Sequence, residues 1–352
     1  MHENLSQGYI VLAKCKQDEI NRGTIYKRGI NLNFDKAVLE TVVVKTNEGE
    51  ERLIKVRNLW NDEYEWDGDW GYTSSKWTPL LKEELNFDSA VEEKIIFLTV
   101  EEFATYFSEV IICKYNENFV YSQITLRHVK NAYSIIKFDI DRLTECNFEI
   151  TQLDDHYYRK HPEYRYAVSR LILAKKEPSG ELTYLLGNIA STKYNNTNVT
   201  LTEGSYYAFV LIDWPTKVHD VHFSAYSEDL VEFERVLFNE NSHLLPQLFK
   251  EYISQCLPPT MIENEEGHLK YQLDFDELAL KAEVYVNQTT NKKLRIKKTE
   301  LNLENCSILN IPLKGADLEF VVEPGKTQLV LVGKSELDGE FKYSYKEKSF
   351  TK

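Results

Sequence analysis

One strand constrains the fold of this chain most, because it ends in a side-chain amide just before a turn rich in tryptophan. In residues 53–60, Ile54, Val56 and Asn58 alternate with the positively charged Lys55 and Arg57. This alternation predicts a β-strand with one buried face. The residue types leave two interpretations of the amide. It caps a turn, or it holds another group in one orientation while a neighbouring indole keeps water away.

Several motifs of this region occur in the same order in a family of proteases. They are Arg57-Asn58-Leu59-Trp60, Glu65-Trp66-Asp67-Gly68-Asp69-Trp70, Trp77, Phe97–Phe103 and Ile111–Lys114. Their order resembles the calpain family of cysteine proteases. The resemblance implies that Asn58 matches the asparagine that orients the catalytic imidazole, and that Trp60 matches the indole that shields their hydrogen bond. It also implies that residues 1–118 are the β-rich second half of a papain-like protease core.

The other two groups of a Cys-His-Asn site do not follow from the sequence. Such a site needs a thiolate nucleophile and a histidine that exchanges protons with it. In calpains the cysteine lies in a separate half-domain before the histidine, and we expect that half to be absent here. Gly29 matches the glycine before the family's histidine, and Ile30 occupies the place of the histidine itself. No histidine lies between His2 and His128, so a shifted alignment does not restore the site.

Cys15 and His2 are a further pair that we expect to be inert. Cys15 ends an apolar strand, which is typical of a buried and unreactive thiol. His2 lies at the N-terminus, which we expect to be disordered.

The resemblance also raises the question of a calcium site. Glu65 matches one acidic ligand of the family and Glu93 matches another weakly, whereas Tyr72 and Ile95 stand where the family has acidic residues. Calcium takes about six or more oxygen ligands, so two carboxylates are few. Two interpretations stay open, a calcium site completed by neighbouring acids and a solvated acidic loop, and we favour the loop.

The composition limits the partners and the compartment. The chain has 352 residues and a formal net charge of -14 at pH 7, which argues against a nucleic-acid partner because such a partner needs a basic face. The five cysteines are scattered without a CxxC motif, as is typical of reduced thiols in a cytoplasmic protein. We find no signal peptide and no apolar segment long enough to span a bilayer.

Beyond residue 118 the pattern changes to that of further β-rich domains. Strand-like segments within residues 123–238 are separated by turns and predict a β-sandwich, which resembles the C2-like domain that follows the calpain core. Residues 242–257 are amphipathic and predict a linker helix. Residues 260–352 predict a smaller β-rich domain, which we interpret as a second C2-like sandwich. The predicted fold class is therefore mainly β, with the β-rich half of a papain-like core followed by two sandwiches.

The sequence favours a calpain-like protein that lacks peptidase activity and acts as a regulatory or protein-binding module. Calcium and phospholipid are candidate ligands of its C2-like domain, and its protein partners are not identified. The alternative is a fragment of a calcium-dependent, calpain-type cysteine endopeptidase whose cysteine half is encoded elsewhere. Ile30 weighs against full activity in either case.

Overall fold

The structure is a computed structural model of the chain. It describes residues 1–16, 26–47, 49–58, 65–92, 94–154, 156, 164–215, 217–255, 260–265 and 267–351. Trp60 and Glu93, which the sequence analysis singles out, lie outside the described residues. The chain divides into two compact units, Met1–Asn118 and Phe119–Lys352. Both are built mainly from antiparallel strands, which confirms the predicted mainly β fold class.

A five-stranded antiparallel sheet forms the first unit. Its strands are β1 (Ile10–Cys15), β4 (Lys36–Thr46), β5 (Gly49–Arg57), β6 (Ile95–Thr99) and β7 (Phe107–Cys113). Their order across the sheet is β6-β5-β4-β1-β7, so β7 lies at one edge. Two further strands, β2 (Tyr26–Lys27) and β3 (Ile30–Asn31), pair with each other as a short hairpin.

The burial of β5 agrees with the alternation in its sequence. Ile54, Val56 and, directly after the strand, Asn58 are buried, whereas Lys55 and Arg57 between them are only partly buried. Successive side chains of a strand point to opposite faces, so the Asn58 side chain lies on the core side of the sheet.

Four helices complete the described part of the first unit: α1 (His2–Ser6), α2 (Pro79–Glu84), α3 (Phe87–Glu92) and α4 (Val100–Tyr106). α4 begins at the capping box that the sequence predicts. The Thr99 hydroxyl accepts from the Glu102 N–H at 3.1 Å, and the Glu102 carboxylate accepts from the Thr99 N–H at 3.0 Å.

Two sheets packed face to face form the first part of the second unit. One has the order β13-β10-β15-β8 and the other β12-β11-β14-β9-β16. Their strands are β8 (Val120–Arg127), β9 (Tyr133–Ile140), β10 (Thr144–Thr151), β11 (Val168–Lys176), β12 (Leu182–Ala190), β13 (Tyr194–Leu201), β14 (Gly204–Asp213), β15 (Asp220–Ser227) and β16 (Glu234–Val236). Side chains of both sheets, among them Phe138, Phe148 and Phe223, share one apolar core. This part of the chain is therefore a β-sandwich.

Two more sheets form the C-terminal part of the same unit, with the orders β17-β18-β19-β23-β21 and β22-β20-β24. Their strands are β17 (Thr260–Glu265), β18 (His268–Phe275), β19 (Leu280–Asn287), β20 (Leu294–Glu304), β21 (Cys306–Ile308), β22 (Leu318–Val322), β23 (Thr327–Lys334) and β24 (Lys342–Thr351). A 3-10 turn at Asp276–Leu278 joins β18 to β19. Tyr285, Ile296 and Val330 belong to a core that both sheets share.

The second unit has two short helices, α5 (Phe238–Asn241) and α6 (Leu244–Gln255), among its described residues. α6 lies within residues 242–257, for which the sequence predicts a linker helix, and it is part of a core. Leu245 and Phe249 are at most 1% exposed, and they share one apolar cluster with Phe209 of β14 and Val284 of β19. The helix therefore packs against the sandwich and against the C-terminal sheets.

β11 is buried on both faces for this reason. Leu171 and Leu173 point into the core of the sandwich. Ile172 and Ala174, between and after them, belong to the cluster that contains α6. A sheet covered on both sides carries an uninterrupted apolar run instead of an alternating pattern.

Candidate functional site

The Asn58 side chain lies at the centre of the site that the sequence singles out. Asn58 is buried, and its main-chain N–H donates to the carbonyl oxygen of Lys94 at 2.8 Å. Its Nδ2 donates to the main-chain carbonyl oxygen of Gly29 at 2.8 Å. Its Oδ1 is also buried, but no described group donates to it. The amide is thus held by its nitrogen, and its oxygen is left as an acceptor.

The peptide between Gly29 and Ile30 brings Ile30, which the sequence analysis matches to the histidine of the family, next to Asn58. Ile30 begins β3, is fully buried and packs in an apolar core that also contains Trp66. Gly29 has a φ of +85°, and a Cβ there would collide with the carbonyl group of Glu65. The structure therefore brings Asn58, Ile30 and the backbone of Glu65 together. An isoleucine side chain cannot exchange a proton.

The tryptophan-rich turn is fixed against this hairpin. The Trp66 Nε1 donates to the carbonyl oxygen of Phe97 at 3.0 Å. Arg28, next to Gly29, donates through Nε to Asp67 Oδ1 at 2.7 Å, and its guanidinium lies 5.5 Å from the centre of the Trp66 ring. These contacts explain why the turn and the hairpin stay together although they are far apart in the sequence.

The buried cysteines of the described chain are protonated at neutral pH. Cys15 donates through Sγ to the carbonyl oxygen of Phe34 at 3.4 Å, and burial raises the pKa of its thiol to about 11. Burial also raises the pKa of Cys146 and of Cys306 to about 11. Because the thiolate is the nucleophilic form of cysteine, none of these three thiols is activated.

The N-terminus has a structure that the sequence analysis does not expect. His2 begins α1, and its Nδ1 lies 2.7 Å from the Thr41 hydroxyl. The expected disorder is wrong because Leu5 of the same helix packs against the apolar core of the sheet. The described contact of the His2 ring is therefore with Thr41, and Cys15 points elsewhere into the core.

Three of the positions that the resemblance matches to calcium ligands, Glu65, Tyr72 and Ile95, interact with one another. The Tyr72 hydroxyl donates to the carbonyl oxygen of Ile95 at 2.9 Å. Burial, and secondarily the carboxylate of Glu65, raises the pKa of Tyr72 to about 12. The resemblance matches Tyr72 and Ile95 to acidic residues of the family, and in this chain these positions hold a phenol and an apolar side chain. Within the described ranges no group of three or more His, Cys, Asp and Glu side chains is arranged to hold a metal ion.

Sequence reasoning missed Lys36, a buried cation close to Cys15. Lys36 pairs with Ala13 across the sheet, and Cys15 follows two residues later on the same face. Lys36 is 1% exposed, its Nζ has no partner among the described groups, and burial lowers its pKa. Nothing in the local sequence marks it, since a lysine at the start of a strand is usually solvated.

Comparisons with known proteins find similarity between the first unit and a family of proteases. The sequence model of the calpain family cysteine proteases matches residues 1–114. Over 63 residues, the chain is 32% identical to the calpain-type cysteine protease DEK1 of Arabidopsis thaliana. This aligned stretch covers 18% of this chain and 3% of that protein. Over 65 residues, the chain is 38% identical to calpain-14 of Homo sapiens. This aligned stretch covers 18% of this chain and 9% of that protein. The matched stretch thus spans less than a tenth of the length of either relative.

A comparison with solved structures adds no argument about the fold. An oxalate decarboxylase mutant of Bacillus subtilis overlaps 72% of this chain and 74% of its own, with 11% identity and a TM-score of 0.16.

Proposed function

We propose that this chain is a calpain-like protein that does not hydrolyse peptides; the match of the calpain family model to residues 1–114 supports the first part of this proposal. We propose further that it acts as a regulatory, protein-binding module. The observation that carries the proposal is the fully buried Ile30 beside the Asn58 amide.

The chemistry of the family explains why this observation weighs so much. Peptide hydrolysis by a Cys-His-Asn site requires an imidazole that takes the thiol proton and later gives it to the leaving amine. Ile30 stands in that place, and the buried Oδ1 of Asn58 has no described donor. The pKa of about 11 of Cys15 also supports the proposal, because a substitute nucleophile would have to be a thiolate.

An exposed edge strand supports the protein-binding role. β7 lies at the edge of the five-stranded sheet, and its Val110, Ile111 and Ile112 are between 39% and 43% exposed. The main-chain groups at a sheet edge pair with added extended segments, and neighbouring apolar side chains strengthen such pairing.

The finer assignments of the second unit belong to the same proposal. We take the sandwich of residues 123–238 as the C2-like domain, residues 242–257 as the helix after it and residues 260–352 as a further C2-like domain. Phospholipid is a candidate ligand of the C2-like domain, and a cytoplasmic location fits the reduced thiols. No helix in the described ranges is long and apolar enough to cross a membrane.

A casein assay tests the proposal. The full chain, with and without calcium, is incubated with fluorescently labelled casein beside an active calpain. We expect no cleavage by the chain, and we expect the fluorescence anisotropy of labelled casein to report binding through β7. Ile111→Lys should weaken that binding, whereas Val43→Lys, which adds the same charge to an exposed position on an inner strand, should not.

Two outcomes contradict the absence of activity. Cleavage of casein that a thiol reagent blocks and that Cys15→Ala abolishes would show a working site in this chain. Calcium-dependent cleavage after addition of a separately expressed cysteine-bearing half would favour the alternative, a fragment of a calpain-type endopeptidase. In that second assay, Ile30→His tests whether the missing imidazole is what limits activity, and Ile30→Val is the matched control.

A further inference from the structure

A pocket of about 360 Å³ lies in the second unit between the β8–β9 loop and the segment from β16 to α5. Three of its lining residues are the cations Arg127, Lys130 and Arg235, and none of its described lining residues is acidic. Its volume falls in the range of small-molecule pockets, about 300–1,000 Å³.

The three cations are exposed and form no ion pair with a carboxylate of the described chain. Their closest acidic neighbours along the sheets form no salt bridge with them. Glu234, before Arg235, pairs with Lys137 at 3.2 Å. Asp220 lies opposite Arg127 in the register of β15 and β8, without a salt bridge to it. On a chain with a net charge of -14, a cluster of three cations without salt bridges favours an anionic ligand.

The pocket is also held in shape. Arg235 donates through a terminal nitrogen to the carbonyl oxygen of Arg127 at 3.3 Å, which links its two sides. Asn131, in the loop, has a φ of +58° and donates through Nδ2 to the carbonyl oxygen of Ile308 at 2.7 Å. A site that is ordered before binding loses less entropy when the ligand arrives.

Apolar side chains form the rest of the wall. Val129 is 64% exposed and Leu237 is 62% exposed, one on each side of the pocket. Phe238 and Tyr133 pack edge to face with their ring centres 4.9 Å apart. Exposed apolar side chains that line the same pocket mark a surface that a ligand can cover, and here they lie next to the cations.

We propose that this pocket binds a single-chain amphiphilic anion, with a carboxylate or phosphate head on Arg127, Lys130 and Arg235 and an apolar chain against Val129 and Leu237. The proposal is independent of the inactive protease site, since it uses only residues of the second unit.

Calorimetric titration of the full chain with decanoate, below the concentration at which it forms micelles, tests the proposal. We expect saturable binding that decan-1-ol, without the charge, and inorganic phosphate, without the chain, do not reproduce at the same concentration. Arg127→Gln with Arg235→Gln should weaken binding by about tenfold or more, because two charges next to the head group are lost. Lys176→Gln with Lys326→Gln removes the same charge from exposed positions outside the pocket and should leave binding unchanged.

A second pair of variants tests the apolar wall. Leu237→Ser should weaken the binding of decanoate, whereas Leu143→Ser, at a similarly exposed position elsewhere in the unit, should not. Lys130→Glu reverses one charge of the cation cluster and keeps the hydrogen bond from Arg235 to the carbonyl oxygen of Arg127. This variant therefore still tests the role of the cations if the double arginine variant unfolds.

Four results would overturn the proposal. They are no saturable heat with decanoate, equal affinity in the pocket and control variants, binding of inorganic phosphate as tight as that of decanoate, and binding only to phosphatidate-containing vesicles. The last result would assign the cations to a membrane surface instead of a pocket for one molecule.

Discussion

At the scale of single residues, three of the buried polar side chains that lack a partner for at least one atom within the described structure bear on the sites discussed above or on stability. They are Asn58 at Oδ1, Lys36 at Nζ and His128 at both ring nitrogens. A buried polar atom without a partner costs about 1–3 kcal/mol, so each calls for a reason. For Asn58 the reason follows from our proposal, because an isoleucine has replaced the group that the oxygen would accept from. His128 has a consequence that can be measured.

The buried imidazole of His128 predicts a loss of stability at mildly acidic pH. His128 is 6% exposed, its ring lies 6.3 Å from that of Trp214, and burial lowers its pKa to about 4. Since its pKa in the unfolded chain is near 6.5, the unfolded state binds more protons between pH 6.5 and 4. The stabilisation by the neutral ring is thus complete above pH 6.5 and is lost as the pH falls toward 4.

Denaturation by urea at pH 7 and pH 5, followed by far-ultraviolet circular dichroism, measures this effect. His128→Phe keeps a buried aromatic ring and removes the titration, so wild type should lose about 2 kcal/mol more than this variant between the two pH values. His243→Gln, which removes an exposed histidine of the same unit, should behave as wild type. Equal losses in wild type and His128→Phe would refute the assignment.

At the scale of elements, local sequence patterns predict many strands and helices. The remaining features depend on contacts between distant segments, which the sequence does not show. The alternation in β5 and the capping box of α4 follow from neighbouring residues, and both are found in the structure. The role of α6 does not follow, because its apolar stripe shows that one face is covered without showing by what. The contact of Asn58 with Gly29 also joins residues 29 positions apart, so the motif gives the residues of the site but not their hydrogen bonds.

Glu102 shows how a local motif also carries a distant contact. One oxygen of its carboxylate closes the capping box with Thr99, and the other accepts from the main-chain N–H of Asp69 at 2.9 Å. The side chain thus connects the first turn of α4 to the tryptophan-rich turn. No sequence pattern indicates the second bond, because 33 residues separate its partners.

We expect Glu102→Ala to destabilise the first unit by about 1–2 kcal/mol, since it removes a helix cap and leaves the Asp69 N–H without its acceptor. Glu102→Gln keeps one acceptor oxygen and should lie between Glu102→Ala and wild type. Glu101→Ala, at the exposed neighbouring position, should change little. Urea denaturation followed by tryptophan fluorescence is suited to this unit, because four of the five tryptophans lie in it. The two contacts would have no energetic role if Glu101→Ala and Glu102→Ala gave equal midpoints.

At the scale of the molecule, a buried arginine joins the sandwich to the C-terminal sheets. Arg170 of β11 donates through Nε to the carbonyl oxygen of Leu278 at 2.8 Å and through a terminal nitrogen to that of Lys334 at 2.7 Å. It is fully buried, and burial lowers its pKa to about 10, so it remains charged at neutral pH. A Cβ on Gly333 would lie 2.9 Å from its Cζ, so a residue without a side chain fits there. These contacts, with α6, explain why two sandwiches belong to one compact unit.

Arg170→Met should therefore uncouple the two parts of the unit. The loss of charged hydrogen bonds to buried carbonyl groups predicts a destabilisation of roughly 3 kcal/mol or more. Hydrogen exchange followed by mass spectrometry should show β19 and β23 exchanging before the sandwich, whereas in wild type we expect them to exchange together. Arg142→Met is the matched control, because Arg142 forms an exposed pair with Asp229 in the same unit and such pairs add little to stability. If both variants exchanged as wild type does, α6 and the apolar cluster around it would be sufficient to join the two parts, and Arg170 would serve only to satisfy the carbonyl groups that it contacts.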